Sequence, residues 1–458
     1  MQNRTSRRQF LQAAGAAGLF NIIPAKTLWG ATAPSNQLTR ALIGFGVIAH
    51  TDSHLPYQGS RLVGLCDPFD YRVVAGLKCA QEAGWGRIKA YKNFIELLDD
   101  KDVDIVHICT PPHWHAVQSV MAANAGKDIW CEKPMTRTVG EGKRVMEVIK
   151  AKKRVFRLNT WFRFKDPFYG FGTPVKPVRQ VVENNLVSGK GKPMRCVCGA
   201  GQGFNWKFGW SGRVNPTVDQ IPTGFDYEMG LGPAPWRPYS HHRVGTSFRG
   251  YWDYDSGGLG DMAQHYLDPL QYLLCKDETS PVKIDYVGPK QHPEAVGRFD
   301  RITLTYDDGT EVILDGDESL KDEPFLRGDK ATVWPVKLAD GSVRSWTTEE
   351  EAKDQMFRMV DNATGKDMDV RGILKELPEP APQNTDFIEC CKERKTFALN
   401  ESNGFRSATM FNLGIVAERL GRGFEFDPVT LHAKNDPAAE RFLYQALREP
   451  WATEFYKG

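Results

Sequence analysis

The chain has 458 residues, 41% hydrophobic and 25% charged, with a formal charge of +2 at pH 7, an ordinary soluble composition with room for two substantial cores. Residues 1 to 33 hold Arg4, Arg7, Arg8 and Lys26 and no acid, so the remainder is slightly acidic, which argues against nucleic acid as a partner. The nine cysteines form no zinc-like CxxC pairs, and most (Cys66, Cys109, Cys131, Cys196) lie in apolar strand-like runs, so they read as core residues rather than a disulfide framework.

Ser6-Arg7-Arg8-Gln9-Phe10-Leu11 has the form of a twin-arginine export signal. Ala13 to Ile23 is free of charge and too short for a membrane span of about 20 apolar residues, so it reads as a signal-peptide h-region within a signal over 1–33. Ala31-Thr32-Ala33 has the form of a cleavage site, although Pro34 hinders cutting there, which leaves cleavage elsewhere or retention as a membrane tether open. The twin-arginine route carries folded proteins, so the expected location is periplasmic or otherwise exported, with that export machinery as a partner.

Arg40-Ala41-Leu42-Ile43-Gly44 opens a run of alternating elements: strands over Arg61 to Asp67, Val103 to Thr110 and Asp128 to Glu132, helices over Asn93 to Leu98 and Trp114 to Ala125. Short apolar strands spaced by helices require right-handed crossovers and a parallel sheet, an α/β Rossmann domain over 38–158. The first strand ends in Gly44-Phe45-Gly46-Val47-Ile48-Ala49, where glycines permit a tight turn and close approach of backbone N–H groups to a pyrophosphate. Asp67, some twenty residues on, is placed to accept hydrogen bonds from a ribose diol. With Asp70 nearby this favours NAD over NADP, and Arg72 is the residue able to bind a 2′-phosphate instead.

Thr110-Pro111-Pro112-His113-Trp114-His115 after the third strand, Glu132-Lys133-Pro134 after the fourth, and Gly257-Gly258-Leu259-Gly260-Asp261-Met262-Ala263-Gln264-His265 farther on resemble the Gfo/Idh/MocA oxidoreductases. The resemblance spans essentially the whole mature chain. The closing segment, with Arg448-Glu449-Pro450-Trp451, looks like an exported subset from bacteria that degrade plant or mucin sugars. The resemblance implies an NAD(P)-dependent oxidoreductase with Lys133, Asp261 and His265 as its catalytic group. It implies Gly44, Phe45, Gly46, Val47, Ile48, Asp67, Arg72, Thr110, Pro111, His113, His115, Glu132 and Lys133 about the nucleotide, and a cis Pro134 that aims Lys133.

The chemistry of these residues agrees. Asp261 and His265, four apart on one helix, share a face, so the carboxylate can orient an imidazole that takes a hydroxyl proton. Lys133 follows a parallel strand at the sheet edge that binds ligands, where an ammonium can hold the reacting oxygen. His113 and His115 flank Trp114 with no third ligand signalled, so packing beneath the nicotinamide is expected and no metal. His241-His242 reads as a loop pair.

From Asn159 onward, Met194 to Ala200, Val282 to Val287, Arg301 to Tyr306 and Glu311 to Leu314 alternate as strands, with hairpin signals at Asp308-Gly309 and Asp340-Gly341. This predicts a second, α+β domain over 159–458 with an open, largely antiparallel sheet, C-terminal helices returning to the nucleotide domain, and a free sheet face suited to a homodimer or tetramer. Residues 204–254 hold Trp206, Trp210, Trp236 and Trp252 among tyrosines and arginines. They read either as a loop packed on its own aromatics or as a sugar site, with Tyr239 and Trp252 joined by Trp161 and Arg163 and by Lys133, Asp261 and His265.

Three functions follow: oxidation of a secondary hydroxyl of a sugar, cyclitol or glycoside; glycoside cleavage through transient oxidation and elimination; or non-catalytic sugar or nucleotide binding. An exported enzyme has no dependable NAD pool, so the cofactor is expected to be tightly bound and recycled.

Overall fold

The computed structural model describes residues 36–49, 59–160, 163, 175–337, 343 and 357–457. The twin-arginine motif, its h-region and cleavage site, Trp161 and the Asp340-Gly341 signal lie outside the described residues.

The first sheet is made of β1 (Leu38–Ile43), β2 (Ser60–Cys66), β3 (Lys89–Ala90), β4 (Ile105–Ile108), β5 (Asp128–Glu132) and β6 (Phe156–Asn159). They run in the order β3-β2-β1-β4-β5-β6, every pair parallel. The order reverses beside β1, and in such sheets the crevice at the carboxyl ends of the strands there receives ligands. Helices α1 (Asp70–Glu82), α2 (Phe94–Asp99), α3 (His115–Asn124) and α4 (Val139–Lys152) belong to this unit. Side chains set their ends: Asn93 Oδ1 accepts from the N–H groups of Ile95 and Glu96 to start α2, and the Thr138 side chain accepts from Glu141 N to start α4.

The second sheet has nine strands: β7 (Arg195–Cys198), β8 (Lys283–Val287), β9 (Arg301–Thr305), β10 (Glu311–Asp315), β11 (Leu326–Arg327), β12 (Ala331–Trp334), β13 (Arg358–Asp361), β14 (Phe424–Asp427) and β15 (His432–Ala433). Pairings are antiparallel except β7 with β10, which is parallel. Asp308-Gly309 turns β9 into β10, with Gly309 at φ 81°. Strands β11 to β15 carry no long alternating pattern and were not among the expected elements.

Helices α5 (Gly257–Leu273), α6 (Glu401–Leu420) and α7 (Trp451–Tyr456) join the two units. The long α6 packs on α5, on α4 of the first unit and on β8, so one apolar core runs through both sheets. Trp451 of α7 packs edge-on to Trp114, which brings the C-terminus back to the nucleotide unit. All nine cysteines are free. Among the described residues, no helix is long and apolar enough to cross a membrane.

Glu418, buried in α6, has its carboxyl pushed up to about 8 by burial. A folded pKa above the unfolded value means stability present below the ordinary carboxylate range and lost as pH rises through about 8. Glu418→Gln is therefore expected to raise the unfolding midpoint by several degrees at pH 9 and to leave it unchanged at pH 4, as read by thermal melts at the two pH values.

Candidate active site

At the carboxyl end of β1 the chain turns at Gly44, with φ 91°, and a Cβ there would lie 3.0 Å from the Cys109 carbonyl carbon and oxygen. Only glycine tolerates both demands. A Cβ on Gly46 would meet nothing within 4 Å, so that backbone faces an open groove. Gly44, Gly46, Val47, Ile48, Asp67, Arg72, Thr110, Pro111 and His113 line it. Phe45 does not: its ring is buried against Gly76, and it contributes its N–H, which donates to Asp67 Oδ2 at 2.7 Å.

Asp67 also accepts from Phe69 N at 2.9 Å, and Arg72 Nη1 lies 3.7 Å from Oδ2. Burial pushes the Asp67 pKa up, while Arg72 and the two N–H groups oppose it. A glycine turn with open space above it, and a carboxylate fixed in the same groove, fit a dinucleotide.

His113 faces Gly230 O at 3.2 Å, and burial pushes its pKa down to about 3. His115 and Glu132 depart from the cofactor roles expected of them. His115 is buried with its ring nitrogens 2.6 Å from Pro134 O and 2.8 Å from Thr110 O, bracing the two motif loops against each other. Successive strand residues point to opposite sides, and Glu132 turns into the interior, where Asn159 Nδ2 donates to both its oxygens and His107 Nε2 lies at 3.1 Å. His107, Cys109 and Glu132 are close enough to suggest a cation site. Arg40 Nη1, 2.9 Å from His107 Nδ1, opposes a cation there with its own charge.

Lys133 and Asp261, 9% and 3% exposed, meet behind Arg249, which lines the groove. Lys133 Nζ donates to Asp261 O at 2.9 Å and lies 3.1 Å from Asp261 Oδ2. The other carboxylate oxygen is 2.9 Å from Arg249 Nε. Burial alone would raise the Asp261 pKa, but Lys133 and Arg249 outweigh it and hold the group below its ordinary value. Each Asp261 oxygen thus lies against a cation. The buried imidazole of His265 lies one helical turn on.

Local packing explains this placement. A Cβ on Gly258 would lie 1.5 Å from Trp206 O, so the passing chain requires glycine in the first turn of α5. The Lys133–Pro134 peptide is cis. Gln264 staples the following loop, accepting from Met135 N at 2.6 Å and donating to Gly404 O and Ser407 Oγ, both at 2.9 Å.

The 204–254 insertion lies partly along the groove rather than wholly at its inner end. Asp70 N donates to Gly224 O and Asp226 N to Pro68 O, each at 2.9 Å. Between them the rings of Phe69 and Phe225 stack with centroids 3.8 Å apart. Trp114 Nε1 donates to Met229 O at 3.0 Å, and Arg448 Nε to Gly232 O at 3.0 Å, which pins the segment from the C-terminal side.

The expected sugar contacts move accordingly. Tyr239 packs edge-on to Phe225 in one cluster with Phe69. Trp252 is core, its Nε1 donating to His292 O at 2.9 Å. Arg163 is buried, with Nη1 3.1 Å from Asp268 Oδ1 and Nε donating to Gln383 O at 3.0 Å. His241 pairs with Asp219 and His242 with the Tyr251 hydroxyl, as a loop pair would. Arg249 and Asp255, absent from the expected set, are the residues that join Asp261. Their sequence signal is an arginine eight residues and an acid two residues before Gly257, which opens α5.

Residues 38–160 match the family model for the NAD-binding Rossmann fold of an oxidoreductase family, and residues 171–344 and 348–453 match that for its C-terminal alpha/beta domain. A D-xylose 1-dehydrogenase (NADP(+)) of Hypocrea jecorina is 29% identical over 149 residues, 32% of this chain and 36% of that protein. Glycosyl hydrolase family 109 protein 1 of Shewanella sp. (strain ANA-3) is 30% identical over 159 residues, 30% of this chain and 35% of that protein. The chain thus matches about a third of the length of these curated relatives. The solved WlbA dehydrogenase of Bordetella pertussis, in complex with NADH and UDP-GlcNAcA, has a TM-score of 0.54 at 16% identity, covering 86% of this chain and 98% of that one, a likeness of fold. With both domain models matched in order along the chain, the protein belongs to the Gfo/Idh/MocA family of oxidoreductases.

Proposed function

We propose that the protein is an NAD(P)-dependent oxidoreductase acting on a secondary hydroxyl of a sugar, cyclitol or glycoside. The observation that carries this reading is the buried Lys133–Asp261 pair, with His265 one turn on, joined through Arg249 to a groove that begins at Gly44 and Asp67. When bound, a nicotinamide supplies the acceptor for the carbinol hydride. Lys133, fixed by Asp261 O and Oδ2, donates a hydrogen bond to the reacting oxygen and stabilises the charge that develops on it. His265 takes the hydroxyl proton. Asp261 stays ionised between Lys133 and Arg249, so the site keeps its field as that proton moves.

NAD is the preferred nucleotide, because Asp67 would repel a 2′-phosphate; Arg72, stacked on the Phe69 ring at 4.7 Å, is the group that would accept one. The cofactor is retained through turnover, held under the segment that Phe225 closes against Phe69. Phe225→Ala is expected to speed nucleotide loss on dialysis by roughly three- to tenfold, the worth of one aromatic pair. The chain is exported by the twin-arginine route, or tethered by its N-terminus, and assembles as a homodimer or tetramer through the free face of the second sheet.

A second reading, glycoside cleavage by transient oxidation and elimination, is favoured by the similarity to the glycosyl hydrolase family 109 protein. One experiment tests both: purify the protein without added nucleotide, record its bound cofactor, and add free sugars or aryl glycosides. A stoichiometric burst of reduced nicotinamide from free sugar is the expected result. Catalytic aglycone release without that burst would replace the first reading with the second, and activity in neither would remove both.

A further inference from the structure

We propose that the substrate carries a carboxylate and that Arg249 binds it, which makes the substrate an acidic sugar such as a hexuronide. This rests on the oxidoreductase reading above and names its substrate class. The Arg249 guanidinium is held near two rings, 4.7 Å from the centroid of Trp210 and 4.8 Å from that of Phe248. Its side chain lines the groove and is 16% exposed, while its Nε is buried beside Asp261.

That contact is an ion pair at 2.9 Å in which the Nε–H finds no hydrogen-bond acceptor. Nη1 donates only to Thr246 O, at 3.3 Å. A guanidinium immobilised by aromatic packing and short of acceptors is prepared for a planar, two-oxygen anion.

The surrounding charges point the same way. Lys133 and Arg249 share a single ionised partner, Asp261. Asp255 Oδ2, also buried, lies 4.0 Å from Arg249 Nε, and burial and the charge of Asp261 drive its pKa well up. The other nearby cations are engaged: Arg243 pairs with Glu294, and Arg137 pairs with Glu141 and donates to Trp252 O and Asp253 O. Because Asp261 touches both Lys133 and Arg249, the anion and the reacting hydroxyl belong to one sugar ring or to adjacent positions on it. A phosphate ester shares this chemistry and serves as the contrasting probe.

The test compares methyl glucuronide, methyl glucoside and glucose 6-phosphate as substrates of the full-length enzyme and of Arg249→Lys and Arg249→Met. Wild type is expected to favour the uronide over the glucoside, and Arg249→Met to lower that ratio of kcat/KM by about 10- to 100-fold, mostly in KM, the worth of a charged hydrogen-bonded contact. Arg249→Lys should recover part of the ratio. Equal losses on uronide and glucoside would overturn the proposal and make Arg249 a residue that acts through Asp261. So would a stronger response to the phosphate ester, or loss of nucleotide from Arg249→Met. Thermal-shift binding separates this inference from its parent: Arg249-dependent stabilisation by the uronide without turnover keeps the carboxylate site and removes the oxidoreductase reading.

Discussion

Lys133→Met is expected to lower turnover by about three orders of magnitude while the protein still binds its nucleotide. The methionine keeps the length of the side chain and loses only the ammonium. That ammonium is the group fixed by Asp261 O at 2.9 Å and Oδ2 at 3.1 Å. Removing one preorganised donor to a developing oxyanion typically costs about 10²–10³ in rate, and misplacing a positioned proton-transfer group costs a comparable factor. The groove at Gly44 and Asp67 does not contain Lys133, so nucleotide content read by absorbance should match the wild type. A second signature follows from electrostatics. Lys133 is the larger of the two attractions that hold the Asp261 pKa down against burial, so in the variant that pKa rises. A depressed carboxylate pKa contributes stability above the unfolded value and loses it as pH falls through the folded one. The variant should therefore be less stable than wild type at neutral pH, with the gap closing in acid. A variant that turned over at near wild-type rate would remove Lys133 from the chemistry.

What could be read from the sequence was local. Gly44 announces a left-handed turn because no other residue tolerates φ 91° against the Cys109 carbonyl, and β5 matches its apolar run residue for residue. Asp261 and His265 share a helix by spacing alone. Contacts between distant segments were another matter. Tyr239 reads as a sugar-stacking ring until the chain is seen to fold Phe225 onto Phe69, a pairing with no local signature. Glu132 adjoins Lys133 in a motif, yet the strand alternation turns one carboxylate into the sheet and leaves its neighbour facing Asp261. Arg249 looked like one arginine among several in an aromatic loop. Its importance comes from a partner on another element, Asp261.

Arg163 is the clearest case of a residue whose surroundings decide its role. Asp268→Ala is expected to cost about 3–5 kcal/mol of stability, because it strands a buried guanidinium without its counter-charge. Arg163 is 2% exposed, its Nη1 is 3.1 Å from Asp268 Oδ1, and Thr160 Oγ1 donates to the other oxygen at 3.1 Å. Burial pushes the Asp268 pKa up to about 6 even with Arg163 opposing it, so the pair gains little over its desolvation. Replacing both partners with apolar residues of similar volume should therefore be nearly neutral. The double variant Arg163→Met/Asp268→Leu is expected to recover most of the stability lost in Asp268→Ala, which denaturant titration of the three proteins would show. The same double variant decides between structure and substrate binding. If Arg163 held a sugar hydroxyl, restored stability would still leave KM raised about tenfold or more, the loss of a charged hydrogen bond. Because the guanidinium is enclosed by Asp268, the Gln383 carbonyl and the Tyr272 ring at 4.8 Å, KM should instead return to the wild-type value along with the stability.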